Sequence, residues 1–178
     1  MRVVEKVVNK DGSYSVKVAV PLYGVKSVAA VAIPEANKDL LPQETPEISE
    51  DYTPAPEVKA QAASYTGVVV DAAGLGLEGT FSPVIYDVNG RAIYGMRNID
   101  KDFAISKGMV EYYNDLQTAT VNSRAGANPL VVKAVSVRGG GNSVNPVNVV
   151  VSVEDGDKIL YANEKSGMLE NKAVVFVK

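Results

Sequence analysis

The sequence predicts an α+β fold: a mixed, largely antiparallel sheet built from β-hairpins, two helices packed on it, and a Pro/Glu-rich flexible insertion. Three observations lead there. Runs of β-branched residues recur along the chain, and turn-forming clusters at Asn9–Gly12 and Asn89-Gly90 split two pairs of them into hairpins. Valine-rich runs then alternate with a stripe of helical spacing over 106–123 and a helix-start signal at Ser152.

Val3 to Val8 and Tyr14 to Val20 form the first predicted hairpin, across Asn9-Lys10-Asp11-Gly12. In its second strand Tyr14, Val16, Val18 and Val20 alternate with Ser15, Lys17 and Ala19. That period of two predicts one buried face and one wetter face.

Composition shifts at Pro34. Between there and Ser64 lie five of the nine prolines, with seven acidic residues against Lys38 and Lys59. The chain's acidity is concentrated in this stretch, and proline with like charge favours a solvated excursion. The 178 residues therefore read as one domain (1–178), with 34–64 an exposed or disordered insertion.

Tyr65 to Ala72 is the next strand, and its uninterrupted Val68-Val69-Val70 predicts a position covered on both faces. Ser82 to Val88 and Arg91 to Tyr94 flank Asn89-Gly90, the dipeptide suited to a two-residue type I′ turn. Met109, Tyr112, Tyr113, Leu116 and Ala119 recur at spacings of three and four, predicting a helix over Ser106 to Ser123. Leu130 to Val137 and Val147 to Val153 read as strands. Ser152-Val153-Glu154-Asp155 reads as a capping box opening a helix to about Lys165, with Gly167 as its stop. Ala173 to Val177 closes the sheet.

Several chemistries lack their residues. The chain has no cysteine and no histidine, so disulfides, thiolate or imidazole metal ligands and His-dependent triads are absent. Net charge is −3, with no basic footprint for nucleic acid. No run of eighteen apolar residues spans a membrane. Met1 leads straight into strand-like residues, which predicts a targeting segment left out ahead of it.

Gly74-Leu75-Gly76-Leu77-Glu78-Gly79 spells a dinucleotide fingerprint, but Thr80 to Tyr86 after it read as strand. A pyrophosphate site of that kind needs a helix N-terminus there, so the glycines read as a tight turn instead. Asp71, Asp87, Asp100 and Asp102 are candidate carboxylates near strand ends. Asp87-Val88-Asn89-Gly90 lacks the repeated acids of a calcium loop and reads as turn chemistry. Asp155-Gly156-Asp157 reads as first-turn charge facing a helix dipole. Tyr86, Tyr94, Tyr112 and Tyr113 read as core rings with hydroxyls at the rim, or as a groove for a peptide or glycan.

Tyr65 to Ala72, Gly74-Leu75-Gly76-Leu77, Ser82-Pro83-Val84-Ile85-Tyr86-Asp87 and Gly90 to Gly95 together resemble the twenty-kilodalton lipoprotein family of bacterial envelopes. A similar domain occurs in flagellar assembly protein T. Asp11 to Gly24, Asn128 to Ala134 and Val147 to Val177 extend the resemblance over nearly all of the chain except 34–64. The family's signal peptide and leading helix have no counterpart here, and Ala73 stands where the family often has arginine. The resemblance implies an exported, structural or assembly protein, lipid-anchored in many members, with no catalytic residues to carry over.

The expectation is therefore a non-catalytic protein-binding or assembly domain of the periplasm or outer envelope. It needs no cofactor, and its partner is an envelope protein or a second copy. The alternative is a small-ligand or glycan-binding protein using Asp71, Gly74, Gly76, Tyr86 and Tyr94. A carboxylate-dependent hydrolase comes third.

Overall fold

Hydrogen bonding divides the strands of this computed structural model into three sheets, over described residues 1–33, 45–95, 100–140 and 144–178. In chain order the elements begin with β1 (Arg2–Val8) and β2 (Tyr14–Ala19), then α1 (Val28–Ala32), α2 (Pro56–Gln61) and a 3₁₀ turn at Ala62–Ser64. Next come β3 (Gly67–Asp71), β4 (Ile85–Asp87), β5 (Ala92–Tyr94), α3 (Lys101–Lys107), β6 (Glu111–Tyr113) and α4 (Leu116–Thr120). The chain ends with β7 (Pro129–Lys133), β8 (Ser136–Arg138), β9 (Asn148–Val151), α5 (Val153–Ser166) and β10 (Val174–Val177). The fold is α+β with mixed pairing, as the sequence predicts.

Where one hairpin-rich sheet is expected, two four-stranded sheets form beside the separate β1–β2 hairpin. The first has the order β6-β10-β3-β7 and is parallel throughout. The second, β5-β4-β9-β8, joins a parallel β4–β9 pair to antiparallel flanks. The C-terminal strand β10 does not close an edge; it lies between β6 and β3.

The valine runs explain this. Val68 and Val70 of β3, with Val174 and Phe176 of β10, face the main core shared with the second sheet and α5. Val69, Val175 and Val177 point the other way, onto Ala119 of α4 and Ala125. A sheet covered on both faces has no wet side to encode, so its strands lose their alternation. Leu130 to Val137 divides at Ala134. The Ala134 N–H bonds Asp71 O, whereas the Val135 N–H bonds Val150 O, so the chain leaves β3 and joins β9 in a single step.

The helix expected over Ser106 to Ser123 does not form. Gly108 ends α3 at φ +73°, and the ring of Tyr23 fills the space where a Cβ would sit. Met109 and Val110 enter the core, β6 pairs with β10, and Tyr112 packs edge-on against Phe176 at 5.8 Å. Asp115 then caps a separate α4 through the Thr118 N–H. The same apolar spacing that suits one helical stripe is met by a strand and a short helix, and pairing with β10 decides between them. Ser106 is not a cap; its hydroxyl donates to Phe103 O within α3, which Asp100 caps.

The Asn89-Gly90 hairpin is real, but its turn differs. Gly90 has φ +85°, whereas Asn89 is not in the left-handed region. The Gly90 N–H bonds Asp87 O and the Asp87 N–H bonds Arg91 O, giving a three-residue loop instead of type I′. Asp87 causes the change: its Oδ1 accepts the N–H groups of Asn89 and Arg91, each at 2.9 Å, holding an Asx turn. The helix start expected at Ser152 forms, with Ser152 as its cap. Ser152 Oγ accepts the Asp155 N–H and donates to Asp155 Oδ2, and Gly167 ends α5 at φ +66°.

Residues 34–44 of the proline-rich stretch lie outside the described residues. The remainder, 45–64, packs on the domain. Val58 and Ala62 are buried, Ile48 lies against the main core, and Tyr52 meets Tyr161 of α5 at 6.3 Å between ring centres. Its few apolar side chains suffice to dock it despite its charge and prolines.

Two substitutions test this architecture. A Cβ at Gly67 would lie 2.6 Å from Ala173 O and 2.7 Å from Ala125 O, both backbone atoms. Gly67→Ala should therefore destabilise the domain by about 3 kcal/mol, read as a lowered urea midpoint. Gly90→Val should cost roughly 1–3 kcal/mol and Asn89→Val well under about 1, because only residue 90 needs positive φ. Equal losses at 89 and 90 would restore the type I′ turn.

Candidate functional site

Asp71 ends β3, where its Oδ1 accepts the Ala73 N–H at 3.0 Å and begins the turn that carries Gly74 and Gly76. Both glycines hold positive φ, +78° and +75°, and the Leu75 N–H closes the turn onto Ala72 O. No helix follows Gly79, so these glycines serve the turn. Tyr86 is half-buried on β4, with the Arg138 guanidinium 4.6 Å from its ring centre.

Tyr94 lies elsewhere. It is fully buried in β5, and its hydroxyl donates to Met109 O at 2.7 Å. Burial drives its pKa well above the usual phenol value, so it stays a neutral donor. Tyr112 is similar, pushed up to about 12 chiefly by burial. Chain proximity thus groups Asp71, Gly74 and Gly76, Tyr86 stands on the neighbouring sheet, and Tyr94 is a core residue without an open face.

The strongest electrostatic constellation is one that the sequence reading divided among separate roles. Arg91 reaches Asp87 Oδ2 with Nε at 2.5 Å and Asp157 Oδ1 with Nη1 at 2.8 Å. The same Nη1 donates to Glu47 O at 2.8 Å, and the Ser49 N–H donates to Asp157 Oδ1 at 3.0 Å. Both carboxylates are buried, while the Arg91 side chain is 22% exposed. Burial disfavours the ionised Asp157 carboxylate, but the hydrogen bonds from Arg91 and Ser49 outweigh it and hold the pKa below the ordinary value.

Asp157 is thus a buried ion-pair partner, not a first-turn charge. Gly156 beside it lets α5 approach; a Cβ there would meet Ile93 Cδ1 at 3.3 Å and Asp87 Cβ at 3.4 Å. The cluster ties α5, the β4–β5 turn and residues 47–49 together, with Arg91 Nη2 buried in it without a hydrogen-bond partner. The Asp87–Arg91 spacing across a turn was the available sequence signal; nothing local connected either residue to Asp157. Among the described residues no group of three or more carboxylates is placed to hold a metal ion. No helix among them is long and apolar enough to cross a membrane.

A family model for the second domain of Treponema pallidum Tp0624 matches residues 67–178. The chain belongs to that family. No curated protein matches the chain. The match to the Tp0624 second-domain family begins at the first residue of β3 and takes in both four-stranded sheets with α5. It leaves outside it the β1–β2 hairpin, α1 and α2.

Among the described residues, that hairpin holds the largest set of uncovered apolar side chains. Every residue of β1 and β2 except Ala19 is exposed. Register pairs Val3 with Val18, Lys6 with Val16 and Val8 with Tyr14. Directly paired residues share a face, so Val3, Val8, Tyr14, Val16 and Val18 lie together around Lys6. Their exposures run from 46% to 64%, and Lys6 Nζ sits 5.1 Å from the Tyr14 ring centre. The expected buried face of this strand pair exists as an apolar face, but no described part of the chain covers it.

The ion cluster gives a pH prediction. A carboxylate whose folded pKa is depressed contributes stability above its unfolded pKa and loses it as pH falls through the folded one. Stability should therefore fall below about pH 4. Arg91→Met should cost about 3 kcal/mol near neutrality by stranding two buried carboxylates, and should flatten that acid limb. Urea midpoints across the acid range report both; an unchanged slope would remove Asp157 from the account.

Proposed function

We propose that this domain is a non-catalytic binding module of the bacterial cell envelope, engaging another protein through the β1–β2 hairpin. The carrying observation is the hairpin itself: five exposed apolar side chains on one face, standing off the folded domain. Contiguous apolar surface of this kind marks interaction sites in soluble proteins. Two edges that no described strand pairs with add the means for a partner to contribute a strand.

Three further points support the reading. The two carboxylates buried among the described residues, Asp87 and Asp157, are both engaged by Arg91 and by backbone N–H groups, and neither faces an open pocket of the site described above. The family to which 67–178 belongs is named for a bacterial domain. The resemblance to envelope lipoproteins implies export, and many members of that family carry a lipid anchor. The small-ligand alternative has less support, because Tyr94 is sealed in the core and the Asp71 carboxylate is engaged in its own turn.

Crosslinking of the tagged full-length protein in envelope fractions, read by mass spectrometry, tests this. Crosslinks should map to Lys6, Lys10 or Lys17 and vanish in a Tyr14→Lys variant whose melting temperature is unchanged. Crosslinks elsewhere, or no partner above background, would overturn the assignment.

A further inference from the structure

We infer that the partner of the hairpin is a second copy of this chain, joined through the open edge of β2. The inference rests on reading the hairpin as an interaction surface, and it specifies the geometry. The Asn9 N–H bonds Ser13 O, which fixes the alternation of paired positions up the hairpin. Counting from there, Val8–Tyr14 and Lys6–Val16 are non-hydrogen-bonded pairs. The backbone N–H and C=O groups of Tyr14 and Val16 thus point away from β1, to the open edge, and Val18 continues the series. The residues of the apolar face are also those whose backbone groups await a partner.

The two edges are not equivalent. β1 carries an irregularity between Val3 and Glu5, and antiparallel pairing with its own copy about Glu5 or Lys6, near its middle, sets like charge against like charge. Bulges and like charges are how an edge is defended. β2 is regular, with Lys17 its one charge. Antiparallel pairing of two β2 strands about Val16 places Val16 opposite Val16, Tyr14 opposite Val18 and Ser15 opposite Lys17. No charge meets its like, and the aromatic–β-branched pair is one that stabilises antiparallel sheets. The product is a four-stranded sheet, β1-β2-β2-β1, with its central apolar side chains side by side across the two-fold axis and Lys6 toward each flank. A lone two-stranded hairpin is marginal in water, and a third and fourth strand remedy that.

Sedimentation velocity on the full chain, from micromolar to sub-millimolar, should show a reversible dimer. Val16→Lys places two ammonium groups at the two-fold axis and should give a monomer with an unchanged melting temperature, since the position is exposed. Ser15→Glu should tighten the dimer by about 2- to 30-fold, through two symmetry-related pairs with Lys17, and Ser15→Lys should weaken it comparably.

The chain has no cysteine, so Val16→Cys introduces the sole thiol. Facing α-carbons about 5.5 Å apart should let it oxidise to a covalent dimer. A Lys10→Cys variant at the hairpin tip should not. A monomer throughout the range overturns the inference, as does a dimer indifferent to Val16→Lys and to charge at 15. If the chain is monomeric but its hairpin crosslinks to another envelope protein, self-pairing falls while the protein-binding assignment stands. If the dimer forms and no other envelope protein crosslinks at the hairpin, self-pairing stands and a different partner at this face falls.

Discussion

The pairing of β3 with β10 is the constraint on which the rest of the architecture depends. These strands lie a hundred residues apart in sequence, yet they form the centre of the parallel sheet in the register Val68–Val174 through Asp71–Val177. Both are buried on both faces, so each side of the sheet must be roofed. One roof is α5 with the second sheet; the other is α4 and the Ala125 turn. The pairing also explains why Gly67 has no side chain: the backbone of Ala125 and Ala173 closes on the start of β3 from two directions. Such a core closes only when the C-terminus arrives, so the domain's stability is committed to contacts of long sequence separation.

The ion cluster works at a different level. Hydrophobic burial is non-directional and would tolerate α5 sliding along the sheet. Arg91 does not tolerate it, because its guanidinium geometry requires Asp87, Asp157 and Glu47 O at set positions. Taking charges out of water costs free energy that their mutual attraction only roughly offsets. The gain is one orientation of the helix, and the docking of residues 45–64 onto it through Ser49 and Glu47. An acidic, proline-bearing segment thereby acquires a fixed place.

What could be read from the sequence was what neighbouring residues encode. The Ser152 cap, Gly167, both hairpins and the valine strands carry their own signals and appear in the structure. The stretch 106–123 misled because Met109, Tyr112, Tyr113 and Leu116 meet two periodicities at once. Only β10, absent from any local window, selects the strand at Glu111–Tyr113. The Asn89-Gly90 turn misled for a nearer reason: the Asp87 side chain competes for the N–H groups that a type I′ turn would leave free. Of the candidate site, Asp71 and the two glycines were legible as a turn, while the depth of Tyr94 and the reach of Arg91 to Asp157 depend on how sheets and helix are stacked.

The hairpin shows the limit of pattern reading most clearly. Alternation along Tyr14–Ala19 states that one face is apolar, and the structure places those side chains on one face. Alternation carries no information about which molecule supplies the cover. The usual inference, that an apolar face is buried within its own chain, assumes the rest of the sequence has apolar surface to spare. Here the core residues of 67–178 are spent on one another and on Tyr23, Ala29, Ile33 and Ile48, in two sheets already roofed. Pairing with another molecule would give the valines of β2 neighbours on both sides, as those of β3 and β10 have in the centre of their sheet.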